Sequence, residues 1–180
     1  MNKIDFTLEG REVLSLESRA LGQLADRLDA TFSRACELLL ACKGRVIVVG
    51  MGKSGHIGGK IAATLASTGT PAFFVHPGEA SHGDLGMITP GDLVIAISNS
   101  GETPEILTLL PIIKHMGIPL IAMTGQAAST LGTTAVECLD TSVDKEACPH
   151  NLAPTVSTTA TLGMGDALGV AVFSYLFLFP

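Results

Sequence analysis

Short apolar runs alternate with helical patterns along most of the chain. Runs of four or five mostly apolar residues predict buried strands, and they lie at 46–49, 72–75, 93–97, 119–123 and, more weakly, 136–139. Helices are predicted between them at 56–67 and at 104–116, the second kinked by Pro111. A last, mostly apolar helix is predicted from Thr155 to about Phe173.

The first 42 residues have apolar positions at helical spacing and predict two helices, with Gly22 as the candidate break. Strands that are apolar throughout indicate a parallel sheet covered on both faces. We therefore predict an α/β fold of the Rossmann-like kind: a five-stranded parallel sheet with helices on both faces, preceded by N-terminal helices. Residues 1–180 are expected to form one domain, with helices 1–42 packing on it or on a partner subunit.

Composition narrows the class of protein. Hydrophobic residues make up 47% of the 180 residues, charged residues 16%, and the net charge is −6 with no Lys/Arg run. This indicates a globular protein and argues against a nucleic-acid partner, which needs a basic face. The low charge also favours surface buried between subunits.

Location and membrane contact follow from the cysteines and the two ends. The four cysteines show no C-x-x-C pairing, which favours reduced thiols in a cytoplasmic protein. Residues 1–10 are too polar for a signal peptide. The charge-free run 167–179 has 13 residues, short of the roughly 20 that span a bilayer. No membrane partner is expected.

The segment Ser98-Asn-Ser-Gly-Glu-Thr103 is the most informative loop. It follows the strand 93–97, and Thr103 and Pro104 suit the cap and first position of the next helix. Hydroxyls and backbone N–H groups at such a place form a seat for phosphate. The alternative is an ordinary capped turn.

The turn Gly50-Met-Gly-Lys-Ser-Gly55 matches the dinucleotide pattern G-x-G-x-x-G but not the P-loop. A dinucleotide site also needs an acidic residue after the second strand, and Glu79 is the candidate. Lys53 inside the turn suits phosphate pairing or proton transfer. A tight strand–helix turn explains the glycines equally well.

Further titratable residues follow the second and fifth strands. His76, Glu79, His82 and Asp84 lie within nine residues, and they suit proton transfer, carbonyl polarisation or, less well at this spacing, a metal. Glu146 and His150 precede the last helix, in a solvated loop or in a lid that carries a base. Glu102 and Glu105 flank a helix start, where negative charge is favourable.

Together these segments resemble the sugar isomerase (SIS) domain family over residues 1–172, and within it the D-arabinose 5-phosphate isomerases. The segments that carry the resemblance are 50–57, 67–71, 76–86, 98–103 and 152–159. The resemblance implies interconversion of D-ribulose 5-phosphate and D-arabinose 5-phosphate. That reaction feeds the octulosonate sugar (Kdo) of lipopolysaccharide and some capsules. It also implies a phosphorylated pentose as substrate and a homotetramer.

By position, the resemblance implies catalytic roles for Lys53, Glu105 and Glu146. It places His76 and His82 in the substrate site, with His76 as a candidate zinc contact and no required cofactor, and Gly69 and Thr70 at the border of the same pocket. The remaining expected substrate-binding residues are Ser54, Ser98, Asn99, Ser100, Gly101, Glu102 and Thr103. We interpret His82 or Glu146 as the base, with His150 in reserve, Lys53 as the group that stabilises negative charge, and Glu105 as the group that orients hydroxyls.

Two departures from the family pattern concern the end of the chain. The pair of CBS domains that usually follows is absent from these 180 residues, and so is the segment with a further catalytic His. Residues 173–180 do not resemble the family and contain no His. Two alternatives therefore stay open: a non-catalytic module that senses a sugar phosphate, and a dinucleotide-binding protein.

Overall fold

Five parallel strands form one sheet at the centre of the molecule. The computed structural model describes residues 5–80 and 84–178. The strands lie in the order β2-β1-β3-β4-β5, each within two residues of its predicted position. This confirms the predicted five-stranded parallel sheet. The strands are β1 (Val46–Gly50), β2 (Ala72–Val75), β3 (Leu93–Ile97), β4 (Leu120–Thr124) and β5 (Glu137–Asp140).

Helices precede the sheet and connect its strands. They are α1 (Phe6–Asp26), α2 (Ala30–Ala41), α3 (Gly52–Ser67), α4 (Pro77–Ala80), α5 (Pro104–Leu107), α6 (Leu110–His115), α7 (Thr130–Thr134) and α8 (Val156–Leu178). Single 3₁₀ turns lie at Asp84–Met87 and Pro149–Asn151.

Two predicted helix boundaries were wrong. Gly22 lies inside α1, and the break comes later, where the Asp29 carboxylate accepts the Thr31 N–H at 2.8 Å and starts α2. The helix predicted at 104–116 is two helices, because Pro111 lacks the N–H that would bond to the carbonyl of Leu107, where α5 ends.

Alternate residues of each strand face two separate cores. Val46, Val48, Ile95 and others pack beneath α1, α2, α3 and α8, whereas Ile47, Val49, Val94 and others pack beneath α5, α6 and α7. A sheet buried on both faces explains why its central strands are apolar at every position.

Helices α3 and α8 run parallel on one face, with their first turns at the same level. A Cβ on Gly165 would overlap Ile61, and four residues further along α8 a Cβ on Gly169 would lie 3.2 Å from Thr64 and 3.9 Å from Leu65. The contacts therefore advance in the same direction along both helices. Ile61 and Gly165 each come nine residues after the first residue of their helix. Both helices therefore start at the same level, at one edge of the sheet.

The length of α8 also bears on membrane contact. Within residues 5–80 and 84–178, α8 alone has the length and apolar composition of a membrane span, and 33% of its most apolar window is buried in the domain. Its inward residues, from Val156 to Val172, belong to the core. The same composition is typical of the core helix of a folded domain.

Candidate active site

The carboxyl ends of the strands bring most of the candidate residues to one edge. Gly50 pairs with Ile97, and Val49 pairs with Val75. The Gly50 turn, the Ser98 loop and His76 therefore start side by side. The strand order reverses direction between β1 and β3, and ligands in open α/β sheets bind at such a switch point.

The hydroxyls of the Ser98–Thr103 loop converge. The Ser98 and Thr103 hydroxyls are 2.7 Å apart, and the Ser100 hydroxyl lies 3.5 Å from that of Ser98. The Gly101 N–H donates to Ser98 Oγ at 3.0 Å, and the Glu102 N–H donates to Ser100 Oγ at 3.2 Å. Both of these N–H groups donate inside the loop, so the loop offers an anion a compact cluster of three hydroxyls.

A second loop, which the sequence analysis did not identify, holds this one in place. The Gly125 N–H donates to the Asn99 carbonyl at 3.0 Å, and the Leu131 N–H donates to the Gly101 carbonyl at 3.1 Å. Gly101 has φ +66°, and a Cβ there would overlap Ser129. Only glycine fits this close approach without strain. The missed signal was a Ser-capped short helix directly after β4.

Glu102 caps a different helix from the one expected. Its Oε1 accepts the Thr130 N–H at 2.6 Å, at the start of α7 and not of α5. The carboxylate is thereby drawn toward α7, where negative charge is favourable. Glu105, in the first turn of α5, is exposed, and its role stays a prediction.

The Gly50 turn presents Lys53 at the start of α3. Gly52 has φ +53°, and a Cβ on Gly50 would come within 2.9 Å of the Ser54 carbonyl oxygen. The glycines are therefore explained by the tight turn itself. Lys53 is exposed and Ser54 is half-buried, both in the first turn of α3, whose N–H groups face the same edge.

His76 is partly buried, and its Nδ1 accepts the Gly78 N–H at 3.2 Å. In the tautomer that accepts this bond, the ring proton is on Nε2, which can donate. Among residues 5–80 and 84–178, no three His, Cys, Asp or Glu side chains gather as a metal site. Zinc binding stays a prediction. His82 lies outside the described residues, so its place in the site is untested.

Glu146 holds the start of α8. Its carboxylate accepts the Thr155 N–H at 2.8 Å, the Thr155 hydroxyl at 3.0 Å, the Ser157 N–H at 3.3 Å and the Ser157 hydroxyl. Partial burial by itself would raise the pKa of this carboxyl. The hydrogen bonds from Ser157 and Thr155 outweigh burial, so the pKa lies below its ordinary value. A carboxylate held in this way is a weak base.

Glu146 and Lys53 nevertheless share one edge of the sheet, because the first turns of α3 and α8 lie at the same level. The segment from Thr141 to Thr155 crosses from β5 to α8 along this edge. It includes His150, which is exposed and has φ 61°. Asn151 accepts the Glu146 N–H at 3.0 Å and stiffens the segment.

Within one chain Gly69 and Thr70 lie at the edge of the sheet opposite His76, and their place at the border of the pocket stays a prediction. They precede β2, whereas His76 follows it. The four-residue strand between them spans about 13 Å. Thr70 is buried, and its N–H donates to the Leu65 carbonyl at 2.9 Å. Both residues close the turn from α3 into β2.

Known proteins match most of this chain. The SIS domain family matches residues 39–171. Arabinose 5-phosphate isomerase KdsD of Yersinia pestis is 62% identical over 169 residues, covering 94% of this chain and 52% of that protein. KdsD of Escherichia coli K12 is 59% identical over 168 residues, covering 93% of this chain and 51% of that protein. The chain thus spans about half the length of these curated relatives.

A solved structure extends the likeness to the fold. The c3406 protein of Escherichia coli CFT073, in complex with arabinose 5-phosphate, matches with a TM-score of 0.93 and 43% identity. The match covers 100% of this chain and 95% of that chain. Together with the family match over residues 39–171, these similarities confirm the resemblance found in the sequence. The chain belongs to the SIS domain family.

Proposed function

We propose that this chain is an aldose–ketose isomerase that interconverts D-ribulose 5-phosphate and D-arabinose 5-phosphate. The observation that carries the proposal is the converging hydroxyl cluster of the Ser98–Thr103 loop, beside the turn that holds Lys53 at the switch point. The 62% identity to an arabinose 5-phosphate isomerase and the likeness to a structure with arabinose 5-phosphate bound support it.

The reaction moves a proton between neighbouring carbons through an enediolate. A base must remove the proton, and a cation or hydrogen-bond donor must stabilise the oxyanion. In this proposal the Ser98 loop holds the phosphate, Lys53 and the His76 Nε2–H stabilise the negative charge, and Glu105 orients hydroxyls. We propose His82 as the base, because the Glu146 carboxylate is engaged by the start of α8.

We also propose that the sites belong to a homotetramer. Apolar side chains on α1 and on the end of α8 are exposed, including Phe6 at 80% and Phe177 at 74%. This surface suits burial between subunits. A cytoplasmic location and a role in supplying the lipopolysaccharide or capsule sugar are part of the same proposal.

The deciding experiment is a coupled assay of ribulose 5-phosphate conversion by the 180-residue chain. Ser100→Ala should raise KM by about tenfold or more, since a hydrogen bond to a charged group is lost. Ser18→Ala, on the exposed side of α1, is the matched control and should leave KM unchanged.

Two other outcomes would redirect the assignment. Binding of arabinose 5-phosphate without turnover would favour the sensing module. A larger thermal shift with NAD than with arabinose 5-phosphate would favour the dinucleotide-binding protein. The exposed Glu79 lies beyond β2, in α4, and is the residue such a protein would use for the ribose.

A further inference from the structure

Two neighbouring cavities lie between α1 and the segment that precedes α8, and neither is lined by a residue of the Gly50 turn or of the Ser98–Thr103 loop. Their volumes are about 140 and 440 Å³, and both are lined by Leu16, Arg19 and Lys145. The larger also contacts Arg11, and the smaller reaches Val156 at the start of α8. Because they share three residues, they form one groove, which we call the α1 groove.

Positive charge in the α1 groove is not neutralised by ion pairs. Within residues 5–80 and 84–178, Arg27, Arg34 and Arg45 each pair with a carboxylate, whereas Arg11, Arg19 and Lys145 do not. Two carboxylates also line the groove, those of Glu12 and Asp144. Asp144 already accepts the Gln23 amide at 3.1 Å. Three cations against two carboxylates leave the lining net positive by one charge, on a chain of net charge −6, and such a groove can attract an anion.

The spacing of the cations indicates the kind of anion. Arg11 and Arg19 are eight residues apart on α1, which is about 12 Å along the axis. Lys145 faces them from the other wall. Because the backbone positions of Arg11 and Arg19 are about 12 Å apart, a small molecule with a phosphate and a second anionic group matches both arginines better than a single phosphate does. The larger cavity also has the size of a small-molecule site.

We propose that the α1 groove binds a small phosphorylated metabolite that carries a second anionic group. Such a ligand joins α1 to Lys145, the residue directly before Glu146. It therefore stiffens the segment that holds the start of α8. The site is separate from the substrate's phosphate seat and does not depend on the isomerase assignment.

Calorimetric titration with inorganic pyrophosphate at low salt tests the groove. Arg19→Gln/Lys145→Gln should weaken binding by about tenfold or more, because charge-assisted hydrogen bonds are lost. Lys43→Gln/Lys114→Gln, which changes two exposed lysines outside the groove, is the charge-matched control. Equal affinity in all three proteins, or no binding at all, would overturn the proposal.

Hydrogen exchange locates the ligand. Pyrophosphate should slow exchange in residues 8–23 and 144–157. Protection confined to 98–103 would assign the binding to the phosphate loop and overturn the proposal.

Light scattering of the double variant tests whether the groove is a subunit contact. If the variant dissociates while the wild-type chain binds no pyrophosphate, the groove is a subunit contact and the proposal fails.

Discussion

Replacing Glu146 by Gln tests how far the start of α8 depends on one side chain. In the native chain both carboxylate oxygens accept hydrogen bonds, two from backbone N–H groups and two from hydroxyls. Gln keeps the shape but has one acceptor oxygen, and its NH₂ faces donors. The variant therefore leaves part of the first turn of α8 without its acceptor.

The expected loss of stability follows from these contacts. Losing a helix cap costs about 1 kcal/mol, and hydrogen bonds to a charged group contribute about 1.5–3 kcal/mol. Since Glu146 is only partly buried, the lower part of this range applies. We expect the free energy of unfolding to fall by about 1–2.5 kcal/mol, and Tm by about 3–8 °C for a chain of this length.

Thermal and urea unfolding from pH 7 to pH 3 provide the measurement. The folded-state pKa of Glu146 lies below its unfolded value, so its stabilisation is complete above about pH 4.3 and is lost as the pH falls through the folded pKa. The gap between wild type and Glu146→Gln should therefore shrink below that pH. Glu37→Gln, on an exposed position of α2, is the control. Equal stability of both variants at pH 7 would refute the reasoning.

Three further predictions concern the site and the opposite edge. Lys53→Ala should lower kcat about 10²–10⁴-fold in a folded protein, and near-normal turnover would remove Lys53 from the chemistry. Gly101→Ala should raise KM and lower Tm, because the new Cβ overlaps Ser129 at a positive φ. Gly59→Ala, inside α3 with open space around it, should keep KM and should not lower Tm, because Ala favours a helix over Gly. Asp92→Asn should cost about 1–3 kcal/mol at pH 7, measured by urea unfolding, and a loss that persists unchanged at pH 3 would contradict it. Burial favours a raised pKa for Asp92, but bonds from Thr89 and Arg45 lower it.

Local patterns predicted the sheet and the phosphate loop because both are encoded by neighbouring residues. Apolar runs marked all five strands, since each strand is covered by helices on one or both faces. The Ser98–Thr103 loop was recognisable because its hydroxyls, its glycine and the following Pro104 are contiguous in sequence. Parallel strands then brought the Gly50 turn beside it without further information.

Contacts between distant segments were beyond the sequence patterns. Glu102 accepts a hydrogen bond from Thr130, 28 residues away. The residues next to Glu102 in sequence therefore could not predict that it caps α7. Glu146 and Ser157 are 11 residues apart, and the length of the loop between them does not determine which side chains bond to each other. Gly69 and Thr70 were placed by resemblance, whereas strand direction puts them at the other edge of the sheet.

The two proposed anion sites differ in physical kind, and salt should separate them. The Ser98–Thr103 loop contains no Lys or Arg, and in this proposal it binds through hydroxyls, whose short-range bonds are weakly screened. The α1 groove relies on exposed cations, and exposed charges are screened as salt rises. Raising salt from about 20 mM to 500 mM shortens the screening length well below 10 Å. We therefore expect pyrophosphate affinity for the groove to fall steeply and KM for ribulose 5-phosphate to change little. A parallel fall of both, measured by calorimetry and the coupled assay, would contradict the assignment of hydroxyls to one site and cations to the other.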